Sequence, residues 1–193
     1  MNILFLCSYT NRNNTIFNYL VNNGNAVNLF FKKNLKNIIN QKKYNFIISY
    51  GYRYKISKKI IDKFHKSVIN LHISYLPYNR GADPNIWSFL ENTPKGVTIH
   101  LVDEYIDKGD IIFQKKIKFN NNETLKSTYN ILCNEIEKLF IEKWTILKSK
   151  QFKTIKQKKV GTFHYKKDLA KYLCYFNEGF DTEIIKVVGL AND

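Results

Sequence analysis

Short apolar runs alternate with stretches of helical spacing along the first part of the chain. Residues 2–8 form an unbroken apolar run, as expected of a strand buried on both faces of a parallel sheet. After the polar loop TNRNN at 10–14, the spacing of Ile16, Phe17, Tyr19, Leu20 and Val21 predicts an amphipathic helix. AVNLFF at 26–31 predicts a second strand, LKNIIN at 35–40 a short helix, and NFIISY at 45–50 a third strand. KISKKIIDKF at 55–64 has helical spacing again, and SVINLH at 67–72 predicts a fourth strand. This alternation implies βαβ units and an α/β fold: a Rossmann-like, doubly wound, mostly parallel sheet flanked by helices. Sheets of this kind place functional loops beyond the carboxyl ends of their strands.

Farther on, the pattern predicts a helix around 84–91, the strand GVTIHLV at 96–102 and a half-exposed strand IIFQKKIKF at 111–119. From Glu123 to about Lys148 a long helix is expected, with Leu125, Tyr129, Leu132, Ile136, Leu139, Phe140, Trp144 and Leu147 in one broad core stripe. With only three prolines and eight glycines the chain has no obvious linker, and it shows no internal repeat. We therefore expect one domain over 1–150 and a short C-terminal extension, 151–193, packed on it.

Composition narrows the setting. A content of 44% hydrophobic and 24% charged residues fits a globular chain rather than a disordered one. The opening MNILFLCSY lacks a basic region and a cleavage site, so it reads as a strand and not a leader. Cys7, Cys133 and Cys174 are odd in number and scattered, which points to a reducing, cytoplasmic setting and away from a disulfide framework or a metal cage. The net charge of +15 has two readings: attraction to an anionic partner, or a bias toward Lys, Asn and Ile of the kind AT-rich coding produces. The lysines are spread along the chain, so charge alone does not call for a nucleic-acid partner, and none is expected.

Two stretches carry candidate chemistry. INLHISYLPYNRGADPNIW at 69–87 leaves an interior strand through Pro77, Gly81 and Pro84. Asn70 and His72 lie two apart on it, so their side chains share a face. GVTIHLVDEYIDKGDII at 96–112 is a strand running into an acidic turn, with His100, Asp103, Glu104, Asp107 and Asp110. A histidine oriented by a carboxylate can act as a base near neutral pH, and an asparagine amide can donate to a developing oxyanion. The plainer alternative makes Asn70 a turn cap and His72 a core histidine, and spacing alone leaves both open.

NLHISYLPYNRGADPNIW followed by GVTIHLVDEYIDKGDI resembles the paired active-site segments of the folate-dependent formyltransferases. The pattern Asn-x-His-x-Ser-x-Leu-Pro, then a Gly-Val/Thr-x-x-His strand and an Asp-x-Gly turn, is matched in order over about residues 45–119, with looser similarity back to residue 1. The family includes glycinamide ribonucleotide formyltransferase, methionyl-tRNA formyltransferase and sugar N-formyltransferases. The resemblance implies that Asn70, His72 and Asp107 are the catalytic trio, that 10-formyltetrahydrofolate donates the formyl group, and that no metal takes part. Asp107 is singled out because it precedes Lys108-Gly109, and His100 is expected to be structural support. The stretch SYGYRYKI at 49–56 matches the family's folate loop, which assigns Tyr52, Arg53 and Tyr54 to folate, while Asp103 and Ile106 would close the other side of the pterin.

Within the family, the sequence looks closest to the short pseudaminic-acid-pathway type of sugar N-formyltransferase, as do GTFHYKKDL at 161–169 and EGFDT at 178–182. The implied acceptor is the amine of a nucleotide-linked amino sugar used in surface-glycan synthesis. Loop position assigns Asn11, Arg12, Arg80 and Gly81 to that substrate. Three other readings stand beside it. A purine-pathway enzyme is disfavoured because CSYTNRNNT has no glycine-rich phosphate cradle. A methionyl-tRNA enzyme would need more chain after the long helix. A relative that binds folate or nucleotide without catalysis is disfavoured by the intact trio. The resemblance allows a homodimer through the long helix and tail, although the residues themselves do not call for one.

Overall fold

Apolar side chains on every position of a strand can be satisfied only by cover on both faces, and the fold supplies it. The computed structural model describes residues 1–8, 14–41, 43–157 and 160–192. Strands β1 (Asn2–Cys7), β2 (Ala26–Phe30), β3 (Phe46–Tyr50), β4 (Val68–His72), β6 (Gly96–Leu101) and β7 (Ile111–Lys116) form one sheet in the order β2-β1-β3-β4-β6-β7. Helices α1 (Asn14–Asn22), α2 (Leu35–Gln41) and α3 (Lys58–Lys63) connect the first four strands, which are mutually parallel. The doubly wound α/β expectation is met.

Two pairings at one edge depart from a purely parallel sheet. β6 runs antiparallel to β4, and β7 antiparallel to β6. The cause is local: Thr98 Oγ1 donates to Ser74 O at 2.7 Å and accepts from Leu76 N at 3.2 Å. These bonds keep the chain leaving β4 beside the same end of the sheet, so β6 starts there. Between them lie the two-residue strand β5 (Arg80–Gly81) and helix α4 (Pro84–Leu90).

One face of the sheet is covered by α5 (Leu125–Ser149), begun by a capping box in which Thr124 Oγ1 accepts from Ser127 N and Ser127 Oγ accepts from Thr124 N. Its stripe is buried as expected, except Tyr129, which is exposed. Trp144 lies edge-on to Phe46 of β3, ring centroids 5.7 Å apart, and packs against Phe140 at 5.3 Å. The opposite face buries Leu4, Leu6 and Ile47 against Leu35, Ile39 and Phe64.

The tail is not loose chain. Strand β8 (Phe163–His164) pairs parallel to β5, and a run of 3-10 turns over Lys166–Tyr175 follows. Tyr172, Ile184 and Val187 join Ile86, Trp87, Phe89 and Leu90 of α4 in a third core cluster. The carbonyls of Phe89, which also takes Asn92 N at 2.9 Å, and of Leu90 accept from Gly189 N at 3.0 Å and Ala191 N at 2.9 Å. Among the described residues no helix is long and apolar enough to cross a membrane.

Trp144→Ala should lower the unfolding free energy by about 3–5 kcal/mol, because the cavity between α5 and the sheet cannot close. Urea titration followed by far-ultraviolet circular dichroism would measure it, and a loss under about 1 kcal/mol would deny Trp144 this role.

Candidate active site

Side-chain alternation sets Asn70 and His72 on one face of β4. The antiparallel register with β6 then places His100 directly opposite Asn70, and Thr98 opposite His72. Above them the turn between β6 and β7 folds back, closed by Leu101 N donating to Asp110 O at 2.9 Å. Gly109 makes that closure feasible, since a Cβ there would stand 1.7 Å from Leu101 O. Asp107 sits at φ 53°, the left-handed region that aspartate enters more readily than most residues.

That backbone swings the Asp107 carboxylate over the strands. Oδ1 accepts from Asn70 Nδ2 at 3.0 Å and lies 3.5 Å from His100 Nε2. Oδ2 accepts from Gly81 N at 3.0 Å and lies 3.8 Å from His72 Nδ1. The structure therefore brings Asn70, His72 and Asp107 together and adds two groups, His100 and the Gly81 N–H.

Partners of the outer ring nitrogens fix the tautomers. His72 Nε2 is 3.1 Å from Asn79 O, and His100 Nδ1 is 2.7 Å from Leu101 O. A carbonyl only accepts, so each of these nitrogens carries a hydrogen. Neutral His72 consequently presents the lone pair of Nδ1 toward Asp107. His100 turns Nε2 inward, 3.2 Å from Asn70 Nδ2, where that nitrogen's lone pair can take the second N–H of Asn70. Both N–H groups of the Asn70 amide are thus committed, one to Asp107 and one to His100.

Burial pushes His72 below the ordinary histidine value, against the opposing pull of Asp107, and the neighbouring His100 lowers it further. Burial acting alone would raise Asp107. The positive charge His72 carries once protonated, the hydrogen bond and charge of a protonated His100, and the Gly81 N–H outweigh it and hold the carboxyl well below the usual carboxylate range. The site at neutral pH is a carboxylate facing an unprotonated imidazole nitrogen, and the pair titrates as one unit.

The other sequence candidates spread around this centre. Arg80 is buried, with Nε donating to Gln157 Oε1 at 3.0 Å. The Gly81 N–H is spent on Asp107. Tyr52 donates its hydroxyl to Lys32 O at 2.7 Å and meets Tyr54 edge-on at 5.4 Å, and burial pushes its phenol up to about 12. Arg53 and Tyr54 are exposed. Asp103 accepts from Tyr105 N at 2.9 Å, and Ile106 is exposed. The ion pair Lys58–Glu104 at 3.8 Å links the start of α3 to the loop after β6. Asn11 and Arg12 lie outside the described residues. No group of three or more potential metal ligands occurs among the described residues.

Sequence reasoning treated His100 as support and did not single out Asn79 or Gln157. The Gly-Val-Thr-Ile-His run held the signal for His100, but the antiparallel register that sets it against Asn70 is not written in the pattern. A cavity of about 500 Å³ lies apart from the trio, between α4 and the tail, lined by Trp87, Glu91, His164, Lys167 and Tyr172 among others. Its Glu91 reaches the site indirectly, accepting from Asn79 Nδ2 at 3.2 Å.

A family model described as formyl transferase matches residues 7–143. The chain belongs to the formyltransferase family. Among solved structures, the formyltransferase PseJ from Anoxybacillus kamchatkensis, in complex with UDP-4,6-dideoxy-4-formamido-L-AltNAc and tetrahydrofolate, is 42% identical with a TM-score of 0.93, covering 99% of this chain and 100% of that one. A dTDP-4-amino-4,6-dideoxyglucose formyltransferase of Mycobacterium bovis is 26% identical over 129 residues, 67% of this chain and 54% of the relative. A methionyl-tRNA formyltransferase of Finegoldia magna is 37% identical over 89 residues, 46% of this chain and 29% of the relative. The chain thus spans about half or less of these two curated formyltransferases, and all of PseJ.

In the intact formyltransferase fold His72 should titrate below the about 6.5 of a free histidine. Carbon-13 NMR of labelled histidines, with His72 assigned by substitution, would measure the midpoint, and a value above 6.5 would contradict the buried neutral state. Because the folded value is the lower one, the neutral ring's contribution to stability is complete above about pH 6.5 and is lost as pH falls through the window beneath it.

Proposed function

We propose that this chain transfers the formyl group of 10-formyltetrahydrofolate to the amine of a nucleotide-linked amino sugar, and that Asn70, His72 and Asp107 carry the reaction. The observation behind this reading is the convergence of the trio at the carboxyl end of β4, in a chain similar over its whole length to a formyltransferase whose structure holds a UDP-formamido sugar and tetrahydrofolate. We assign the folate ring to the loops 51–56 and 102–106, where Tyr54 and Ile106 are exposed and could cover it.

The folate supplies the formyl carbon and leaves as tetrahydrofolate. The chain's own residues manage charge and protons around it. An uncharged amine adds its lone pair to the formyl carbon, and negative charge moves onto the formyl oxygen. His72 Nδ1 takes the proton that the amine sheds, which its tautomer leaves free to do. Asp107 then faces an imidazolium and steadies it. The same proton is returned to the departing folate nitrogen as its bond to the formyl carbon breaks. Asn70 donates to the formyl oxygen by releasing one of its two inward N–H bonds, and His100, whose Nε2 accepts that hydrogen at rest, gives it up.

Reading the acceptor as a UDP-linked 4-amino sugar follows the PseJ complex and sets the first compound to try. Incubation with 10-formyltetrahydrofolate and that sugar should add one formyl mass to it and none to glycinamide ribonucleotide or initiator tRNA. Formylation of either of the latter alone would refute the assignment. His72→Ala and Asn70→Ala should each cost about 10²–10⁴ in kcat with circular dichroism unchanged; near-normal turnover in both would remove the trio from the chemistry.

A further inference from the structure

Every polar atom of the Gln157 side chain is spent on the site. Nε2 donates to the main-chain oxygens of Asp107 and Gly109, each at 2.8 Å, and Oε1 accepts from Arg80 Nε at 3.0 Å. A carboxamide has two donor hydrogens, and both are used on the turn that carries Asp107. The segment bearing Gln157 is itself fixed just upstream. Ile155 and Ile111 exchange a pair of N–H···O bonds of 2.9 Å, and Thr154 Oγ1 donates to Asp110 Oδ2 at 3.3 Å.

The same tail grips the other arm of the site. Thr162 accepts from Arg80 N through its carbonyl at 3.1 Å and from Asn79 N through its hydroxyl at 2.8 Å, while His164 O accepts from Ala82 N at 2.9 Å. Gly81, between these anchors, gives its N–H to Asp107 Oδ2, and Asn79 O holds His72 Nε2. Alongside the Asp107–Gly81 bond, the Gln157 side chain joins the two arms, with the Asp107 turn on one end and Arg80 on the other.

This bridging matters because of the Asp107 backbone. A left-handed aspartate is held there only while its surroundings fix it. Release of the Asp107 and Gly109 carbonyls would let the turn relax and carry the carboxylate away from His72. We propose that Gln157 is a positioning residue of the formyl-transfer site, keeping the Asp107 turn and the Arg80–Gly81 strand in register so that the carboxylate faces His72. The proposal rests on the functional reading above for its kinetic consequences, and on geometry for the rest. Gln157 acts through Asp107 and touches no reacting atom.

Two variants test it. Gln157→Met fills the space without donor or acceptor. Gln157→Glu keeps the shape and an acceptor for Arg80 but offers the two carbonyls no hydrogen. Both should lower kcat about 10²-fold, the usual cost of a displacement of about 1 Å in a catalytic group, with KM for folate and sugar within about 3-fold. In Gln157→Met the NMR midpoint of His72 should also fall, since Asp107, the group that raises it against burial and His100, has moved off. The neutral variant is the one to titrate, because a carboxylate at position 157 would act on His72 itself. The midpoint is read without turnover, so it tests the positioning even if the wild-type chain were to formylate none of the offered amines, an outcome that would count against the function alone. Wild-type kcat in Gln157→Glu, or an unmoved His72 midpoint in a folded Gln157→Met, would overturn the proposal. A matched loss of kcat and thermal midpoint in both variants would do so too, by making Gln157 a packing residue only.

Discussion

A buried carboxylate is the constraint on which the site depends. Asp107 is nearly enclosed, and an ionised group there is tolerable only with partners for its oxygens. Asn70 and Gly81 donate to them, and His72 and His100 stand within 4 Å. These four partners come from three strands, so the positions of β4, β5, β6 and the following turn are all conditions for one ionised side chain. The left-handed backbone of Asp107, which costs about 1 kcal/mol in an ordinary residue, is the local concession that lets the carboxylate reach them.

Those partners also set the proton inventory. Because Asn79 O and Leu101 O each demand a hydrogen, both histidines turn the other ring nitrogen inward, His72 Nδ1 toward Asp107 and His100 Nε2 toward Asn70. Charge and basicity are thereby separated over a few ångströms: Asp107 stays ionised, His72 stays neutral, and a proton arriving at His72 Nδ1 meets a carboxylate already in place. The Asn70 amide is held by two acceptors, which fixes its orientation in the site. A site organised in this way has little rearrangement left to make when charge develops.

Much of the frame was legible in the chain. β1 and β3 are mostly apolar runs because both of their faces are covered, β4 is apolar apart from Asn70 and His72, and α5 announces itself through a stripe several turns long. The direction of β6 was not legible, because side-chain alternation is the same in either sense and the reversal depends on Thr98 meeting Ser74 and Leu76. Tyr129 fell in the stripe by spacing, yet it sits exposed. In the site, Asn70, His72 and Asp107 stood out through their motif, and the structure gathers them. Gln157 could not stand out: it is one polar residue in the lysine-rich stretch QFKTIKQKKV, and its partners Asp107 and Gly109 lie 50 and 48 residues away.

This contrast has a physical basis. Burial of apolar surface is summed over many side chains, so it leaves a periodic trace that survives single exceptions. A hydrogen bond between a side chain and a distant carbonyl leaves none, since any residue with a donor could serve if the chain brought it there. The sheet and its helices therefore follow from pattern, while the geometry of the carboxylate follows from a few long-range bonds made by the tail. Where Thr162 and His164 hold the β5 strand and Gln157 holds the turn, the last part of the chain decides how the earlier motif is arranged. Matching residues establish which groups a site contains, and the segments that tie them down establish whether those groups face one another.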